Sequence, residues 1–596
     1  MTEPTTANPA LAVIERIVRA TGVVRPGFGA GGDLLFFTAD RSGAMQLWSR
    51  SATTREERAL TSKDRVGAYA PSPDGSLVAF AADVGGSEYW ELHVMRADGD
   101  DLRTVSSVPH RVHHLVGWSP DQREILAFAN LREERFFDLL AFPASGAQPR
   151  TLLRLNGSGM KAAILDDGGV VVSAHRDRLQ NHELIHVDRA GTVRRLTPEE
   201  PKAMHDEPSA LGRDVLVISN RGRDLAGVAR VSLDGSFEYL VETDCEVTAL
   251  TTHGARWAYE FDRGGLAEVH VVDGSVDRAV PGHPPGALPS ERIGQPLALA
   301  PDGTLAFALQ RYESPSSIYL AAPGSDAELA VAATLDGIDP AVLPVFEAVG
   351  FASFDGVRVP GFLLRPRAGG RRPTVIDLHG GPEAQSRPRW FPWTVALVAA
   401  GFNVLFPNVR GSTGYGVRYR SLDDGHLRLD SVRDVDAAAD WLAREGIAPL
   451  DRIGVMGVSY GGYLALAAAV FFPKRWAGVV DIFGVSDYVA QFERVPSWRR
   501  PLREVEFGSL AEDRDFIASI SPANFLDRME APLLVIHGAN DSLVSVAQSE
   551  RVVEVLRQRG HDVTYVRYED EGHGFAHAHN FADATLKIVE FFSARM

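Results

Sequence analysis

A single cysteine, Cys245, stands in 596 residues. No intramolecular disulfide can form, so stability must come from burial and hydrogen bonding, and nothing calls for an oxidising compartment. Cys245 itself reads as a small buried apolar residue. No apolar run reaches the roughly 18 residues that signal a membrane span. The N-terminus lacks the basic start and apolar core of an export signal; Asn8-Pro9 instead reads as a helix cap, with Leu11, Ile14, Ile17 and Val18 on one face. A cytoplasmic location is expected. Basic excess is also missing: 61 Lys and Arg stand against 78 Asp and Glu, a net charge of -17. Nucleic-acid and anionic-membrane partners need a basic face, so neither is expected. There is no glycine-rich phosphate loop after a strand and no paired metal-ligand helix, so no cofactor and no metal are expected. His577 and His579 lie near His573, but no carboxylate or thiolate pattern completes a metal site around them.

What the chain does have is two grammars. Its length exceeds what one core supports, which predicts two domains. Between about residues 30 and 330, short apolar runs (Leu34–Phe37, Leu77–Phe80, Ile125–Phe128, Val170–Val172, Val215–Ile218, Trp257–Tyr259 and Leu305–Phe307) recur every 42 to 48 residues. Turn tetrapeptides such as Ser72-Pro73-Asp74-Gly75 and Ala300-Pro301-Asp302-Gly303 precede them. That period is the length of a four-stranded propeller blade, and seven repeats predict a seven-bladed β-propeller over residues 23–335. A sandwich array has no reason to hold one period over 300 residues. From residue 336 onward, apolar strands (374–378, 403–406, 453–456, 478–480, 533–536 and 563–566) alternate with helical stretches at 430–445, 462–472, 545–558 and 580–594. Such alternation predicts an α/β domain with a mostly parallel sheet.

The chemistry-bearing residues fall in this second half. Gly457-Val458-Ser459-Tyr460-Gly461 follows a strand and opens a helix, the setting of a nucleophile elbow in an α/β-hydrolase domain. The glycines admit a turn too tight for neighbouring Cβ atoms, and Ser459 is presented at its apex. A serine needs a base to attack an amide at neutral pH, and the expected chain order is Ser, Asp, His. Asp541 follows the strand at 533–536, and His573 follows the strand at 563–568. Both fall at carboxyl strand ends, the edge where Ser459 emerges. His537 ends its strand and reads as structural. His379-Gly380-Gly381-Pro382 leaves backbone N–H groups for a developing oxyanion, with Gly381 and Tyr460 as the expected donors.

The propeller followed by His379-Gly380-Gly381-Pro382, Arg410-Gly411-Ser412-Thr413-Gly414-Tyr415-Gly416, the Ser459 elbow, His537–Val544 and Glu571–Phe575 resembles the prolyl oligopeptidase family. The likeness is strongest to its acylaminoacyl peptidase and dipeptidyl-aminopeptidase-like branch. The resemblance implies a serine peptidase with Ser459, Asp541 and His573 as the triad, oxyanion donors at Gly381 and Tyr460, and a propeller that admits only short substrates. It also implies that the N-terminal helix, residues 1–22, packs on the hydrolase domain at 336–596, and that Arg410 orders the loop beneath the site. One departure stands out. Family members commonly carry an arginine and a proline after the triad aspartate; here the stretch reads Asp541-Ser542-Leu543-Val544-Ser545, with no donor at Leu543. Glu88, in a Gly-Gly-x-Glu element, is a candidate for a substrate ammonium or for an arginine of the other domain, against a solvated glutamate. Phe483, Tyr488, Phe492 and Trp498 are candidates to line the acyl-side pocket, against simple core packing.

Three functions compete at this level: an exo-acting peptidase on short peptides or N-acylated amino acids, a small-molecule aminoacyl amide or ester hydrolase, and a non-catalytic binding module. An intact Ser, Asp and His set argues against the third. Homo-oligomerisation is compatible with the surface but not specified by it.

Overall fold

The computed structural model describes residues 9–83, 89–157, 159–176, 181–199, 201–289, 295–335, 337–494 and 500–596. Asn8, Glu88 and Trp498, singled out in the sequence, therefore lie outside the described residues. The chain forms two compact units. One comprises Thr21–Arg311 with Pro315–Thr334; the other comprises Met1–Ala20, Tyr312–Ser314 and Leu335–Met596. The first division falls at Ala20 rather than after residue 22, because Thr21 pairs with Thr334 in an isolated bridge.

The first unit is seven four-stranded antiparallel sheets, each a meander of consecutive strands. They begin at Val23, Arg65, His113, Gly159, His205, Glu246 and Leu297. The recurring apolar runs are the second strand of each sheet, buried on both faces, as in Leu77–Asp83 and Val170–His175. Pro-Asp-Gly turns such as 73–75 connect first strand to second. Val23, Leu35 and Phe37 of the first sheet pack with Ala306, Ala308, Ile318 and Val331 of the last, which closes the ring. Closure by side-chain burial leaves only short sheet edges, the usual propeller solution to unpaired strands.

The second unit is an eight-stranded sheet: β1 (Val345–Ala352), β2 (Arg358–Arg365), β3 (Thr374–Leu378), β4 (Asn403–Pro407), β5 (Ile453–Val458), β6 (Val479–Ile482), β7 (Leu533–Gly538) and β8 (Val563–Tyr568). The spatial order is 1-2-4-3-5-6-7-8. β2 runs antiparallel to both its neighbours, β1 and β4, and β3 to β8 are mutually parallel. The sequence reading had six strands here and missed β1 and β2; β1 sits at the sheet edge with several exposed positions, so it lacks the doubly buried signature.

Helices cover both faces: α1 (Pro9–Arg19), α2 (Pro392–Ala399), α3 (Arg428–Arg444), α4 (Tyr460–Phe471), α5 (Tyr488–Arg494), α6 (Arg500–Phe507), α7 (Ala547–Gln558) and α8 (Ala578–Ser593). α4 is apolar throughout and buried along its length; it fills the centre of one face with Val432, Val435 and Leu442 of α3. On the other face, Ile14 and Ile17 of α1 pack with Val395 and Ala396 of α2 and Ala582 of α8.

Candidate active site

β5 ends at Val458, and α4 begins two residues later. The single residue between them, Ser459, takes φ +59° and ψ -115°, a conformation essentially reserved for glycine that costs of the order of 1–3 kcal/mol. What holds it is the packing of the turn. A Cβ on Gly461 would stand 1.9 Å from the Leu378 carbonyl oxygen, so β3 and the first turn of α4 approach as closely as glycine allows. Ser459 N–H donates to Ile482 O at 2.9 Å, and its carbonyl accepts from Tyr463 N–H at 3.0 Å. Gly461→Ala is expected to lower the unfolding free energy by about 3 kcal/mol and to cut turnover, because backbone rather than a mobile side chain occupies the space; urea unfolding together with a rate assay checks both.

His573, in the loop after β8, places Nε2 at 3.0 Å from Ser459 Oγ. Its Nδ1 lies 2.7 Å from Asp541 Oδ2. Asp541 follows β7, and its other oxygen, Oδ1, accepts the backbone N–H groups of Leu543 and Val544, each at 2.8 Å. Burial works to raise the Asp541 carboxyl, but hydrogen bonds from His537 and His573 outweigh it and hold the group well below the usual carboxylate range. With Oδ2 of a carboxylate on Nδ1, the imidazole proton sits on Nδ1, and Nε2 is left to accept the Ser459 proton.

Two residues that the sequence singled out as oxyanion donors, Tyr460 and Gly381, lie on the elements that flank Ser459. Tyr460 is the first residue of α4, where a helix N–H has no intrahelical acceptor. Gly381 has φ +147°, outside the range of residues with a Cβ. Among the described residues neither N–H donates a backbone hydrogen bond. The turn that carries Gly381 lies against the serine: a Cβ on Gly380 would stand 3.5 Å from Ser459 Cβ. It is anchored by His379, whose Nδ1 lies 2.8 Å from Gly380 O and whose Nε2 lies 2.9 Å from Ser412 Oγ. Burial lowers the His379 pKa. Arg410, in the same loop as Ser412, is buried between Asp434 (2.8 Å) and Asp355 (3.0 Å) and fixes the loop to α3.

Phe483 is fully buried with φ +53°. Its ring centroid is 5.8 Å from His573 and 5.6 Å from His537, so it backs the two imidazoles. Tyr488 and Phe492 are buried beside Tyr460, Tyr463 and Phe507. The sequence reading missed Tyr463 and Phe507, and it missed Arg428. The Arg428 guanidinium is completely buried, donates to the Tyr460 hydroxyl at 3.0 Å and to Glu506 O at 2.8 Å, and pairs with Asp423. It thereby holds the side chain of Tyr460, the residue that follows Ser459. A lone arginine at a helix start carries no sequence signal. Among the described residues no group of three or more His, Cys, Asp and Glu is arranged to hold a metal, and no helix is long and apolar enough to cross a membrane.

Residues 389–596, which hold Ser459, Asp541 and His573, match the prolyl oligopeptidase family. That match marks residues 389–596 as a serine peptidase domain of that family. Among its relatives, dipeptidyl peptidase family member 6 of Caenorhabditis elegans is 34% identical over 223 residues, which is 36% of this chain and only 30% of that protein. Dipeptidyl aminopeptidase BIII of Pseudoxanthomonas mexicana is 24% identical over 577 residues, 92% of this chain and 83% of that one. The solved structure of a puromycin hydrolase superimposes with a TM-score of 0.85 at 21% identity, covering 99% of this chain and 96% of that one. An acylaminoacyl peptidase superimposes with a TM-score of 0.75 at 18% identity, covering 97% of each. At those identities the solved structures establish a shared propeller and α/β-hydrolase fold.

Proposed function

We propose that this prolyl oligopeptidase family member is an exo-acting amide hydrolase that releases aminoacyl or N-acylaminoacyl groups from short peptides through an acyl-enzyme on Ser459. The observation that carries this reading is the continuous hydrogen-bonded series Ser459 Oγ, His573 and Asp541 at the carboxyl edge of β5, β7 and β8. Ser459 Oγ attacks the scissile carbonyl as His573 Nε2 takes its proton. The negative oxygen that forms is met by the N–H groups of Tyr460 and Gly381. His573 then protonates the leaving amine, and water repeats the sequence to release the acyl group. Asp541 holds the imidazole in the required tautomer throughout.

A second reading, hydrolysis of an aminoacyl amide or ester in a small metabolite, is favoured by Leu543. The side chain that stands where the resemblance leads one to expect an arginine is apolar and solvent-exposed, so the grip on a peptide carbonyl is missing there. The two readings part on kcat/KM for free-amino and N-acetyl p-nitroanilides of Ala, Leu and Phe, an acetylated tripeptide, puromycin and a p-nitrophenyl ester. Turnover of the anilides and the tripeptide is expected. Esters or puromycin cleaved with the peptide amides untouched would put the second reading first.

A further inference from the structure

Asp541 is flanked by two histidines, and only one of them touches the serine. His537, the fifth residue of β7, is completely buried. Its Nε2 donates to Val544 O at 3.1 Å and lies 3.2 Å from Asp541 Oδ2. Both neighbours are acceptors, so Nε2 carries the proton and shares it between them. The opposite nitrogen, Nδ1, is 2.7 Å from Ser549 Oγ at the start of α7. The ring is clamped from above by the Phe483 ring, edge to face. The titratable groups facing it are Asp541 from the adjoining turn, His573 across that carboxylate, and Asp481 from β6, whose fully buried carboxyl is pushed up to about 6 by burial, with His537 acting in the opposite direction.

The consequences for Asp541 follow from which oxygen is held by what. Oδ1 is fixed by the two turn N–H groups of Leu543 and Val544. Oδ2 faces His573, the ring that must stay free to gain and lose a proton, and His537, which need not change. His537 also accounts for the turn itself, because its proton is the hydrogen-bond partner of the Val544 carbonyl. We propose that His537 is a positioning residue for the triad: its Nε2–H pins both Asp541 Oδ2 and the 541–544 turn, so that the carboxylate keeps one orientation towards His573 during turnover. This role rests on the reading of Ser459, His573 and Asp541 as the catalytic series. It departs from the sequence reading of His537 as merely structural.

The test compares His537→Phe, His537→Gln and Ser549→Ala with the parent enzyme, each at equal concentration of active sites counted by fluorophosphonate titration. Phenylalanine keeps the ring volume and removes the donor; glutamine returns an N–H near the Nε2 position; Ser549→Ala leaves the imidazole in place but unhooks its far side. His537→Phe is expected to lower kcat roughly ten- to hundredfold, the range for losing a hydrogen bond to a charged group, with KM changed less than about twofold. The acid limb of its kcat/KM profile should move to higher pH, since a carboxylate relieved of one donor holds the His573 imidazolium more strongly. His537→Gln should recover kcat to within about fivefold of the parent, and Ser549→Ala should lower it by about threefold or more, both within the range of one hydrogen bond. A folded His537→Phe enzyme with parental kcat and an unmoved acid limb overturns the proposal, as does a glutamine variant no better than phenylalanine. Should His537→Phe fail to fold, Ser549→Ala decides: parental kcat and limb count against, a lowered kcat with an upward limb counts for. Failure of the underlying triad reading shows separately, as turnover by the parent that survives Ser459→Ala.

Discussion

Ser459→Ala should lose about 10^6 in kcat towards any substrate the parent cleaves, the loss found when the nucleophile of a Ser-His-Asp series is removed, while the oxyanion donors sustain a residual rate above water of about 10^3–10^4. The structure makes the variant a clean one. Among the described residues Ser459 Oγ has a single partner, His573 Nε2, and the backbone bonds of the turn, to Ile482 O and from Tyr463 N–H, do not involve the side chain. Stability should therefore stay close to that of the parent. Ser459→Gly adds an internal control. The φ of +59° and ψ of -115° burden alanine as they burden serine but not glycine, so the glycine variant should be equally inactive and more stable than the alanine variant by about 1 kcal/mol or more. Denaturation of the three proteins under one condition gives the order. Parental turnover by Ser459→Ala would show that another group attacks, and equal stability of the glycine and alanine variants would show that the elbow is not under strain.

How much of this was legible in the sequence depended on how far each feature relies on local pattern. The propeller announced itself because each blade repeats one apolar strand between turn residues, and repetition survives even where single strands are ambiguous, as at Val170–Val172. Ser459, Asp541 and His573 were legible because each follows an apolar strand, and the register of a parallel sheet brings such positions to one edge. Features that arise only from contact across the fold were not. Arg428 and Tyr460 are 32 positions apart and meet because α3 and α4 pack on one face. His537 lies only four positions before Asp541, yet its role was hidden: sequence proximity alone cannot say that the strand end and the following turn fold back so that the ring faces the carboxylate. β1 was missed because half its side chains meet solvent, which breaks the apolar run used to find the other strands.

The acceptor count at Asp541 leads to the second large effect. Four N–H groups converge on this carboxylate: Leu543 and Val544 on Oδ1, His573 and His537 on Oδ2. An ionised carboxylate has lone pairs for all four, whereas the amide of Asp541→Asn accepts on one oxygen and presents N–H groups on the other side. If the amide nitrogen takes the Oδ1 place it opposes the two turn N–H groups and loosens the turn. If it takes the Oδ2 place it donates to His573 Nδ1, so the ring proton moves to Nε2 and faces Ser459 as a donor, unable to act as base. The second placement keeps both turn N–H groups paired and is the expected one, so kcat should fall by about 10^4, the loss known for the wrong tautomer. Stability should respond as well, and with a pH signature. The folded state depresses the Asp541 pKa, so the carboxylate adds stability above the ordinary range near pH 4, and that increment is lost as the pH falls through the lower folded-state value. Asp541→Asn lacks the increment at every pH. The parent should thus be the more stable protein at pH 7, and the difference in melting temperature should narrow as the pH is taken from about 5 towards about 3. A gap that stays constant over that range would mean that the carboxylate's charge is not what the four donors stabilise.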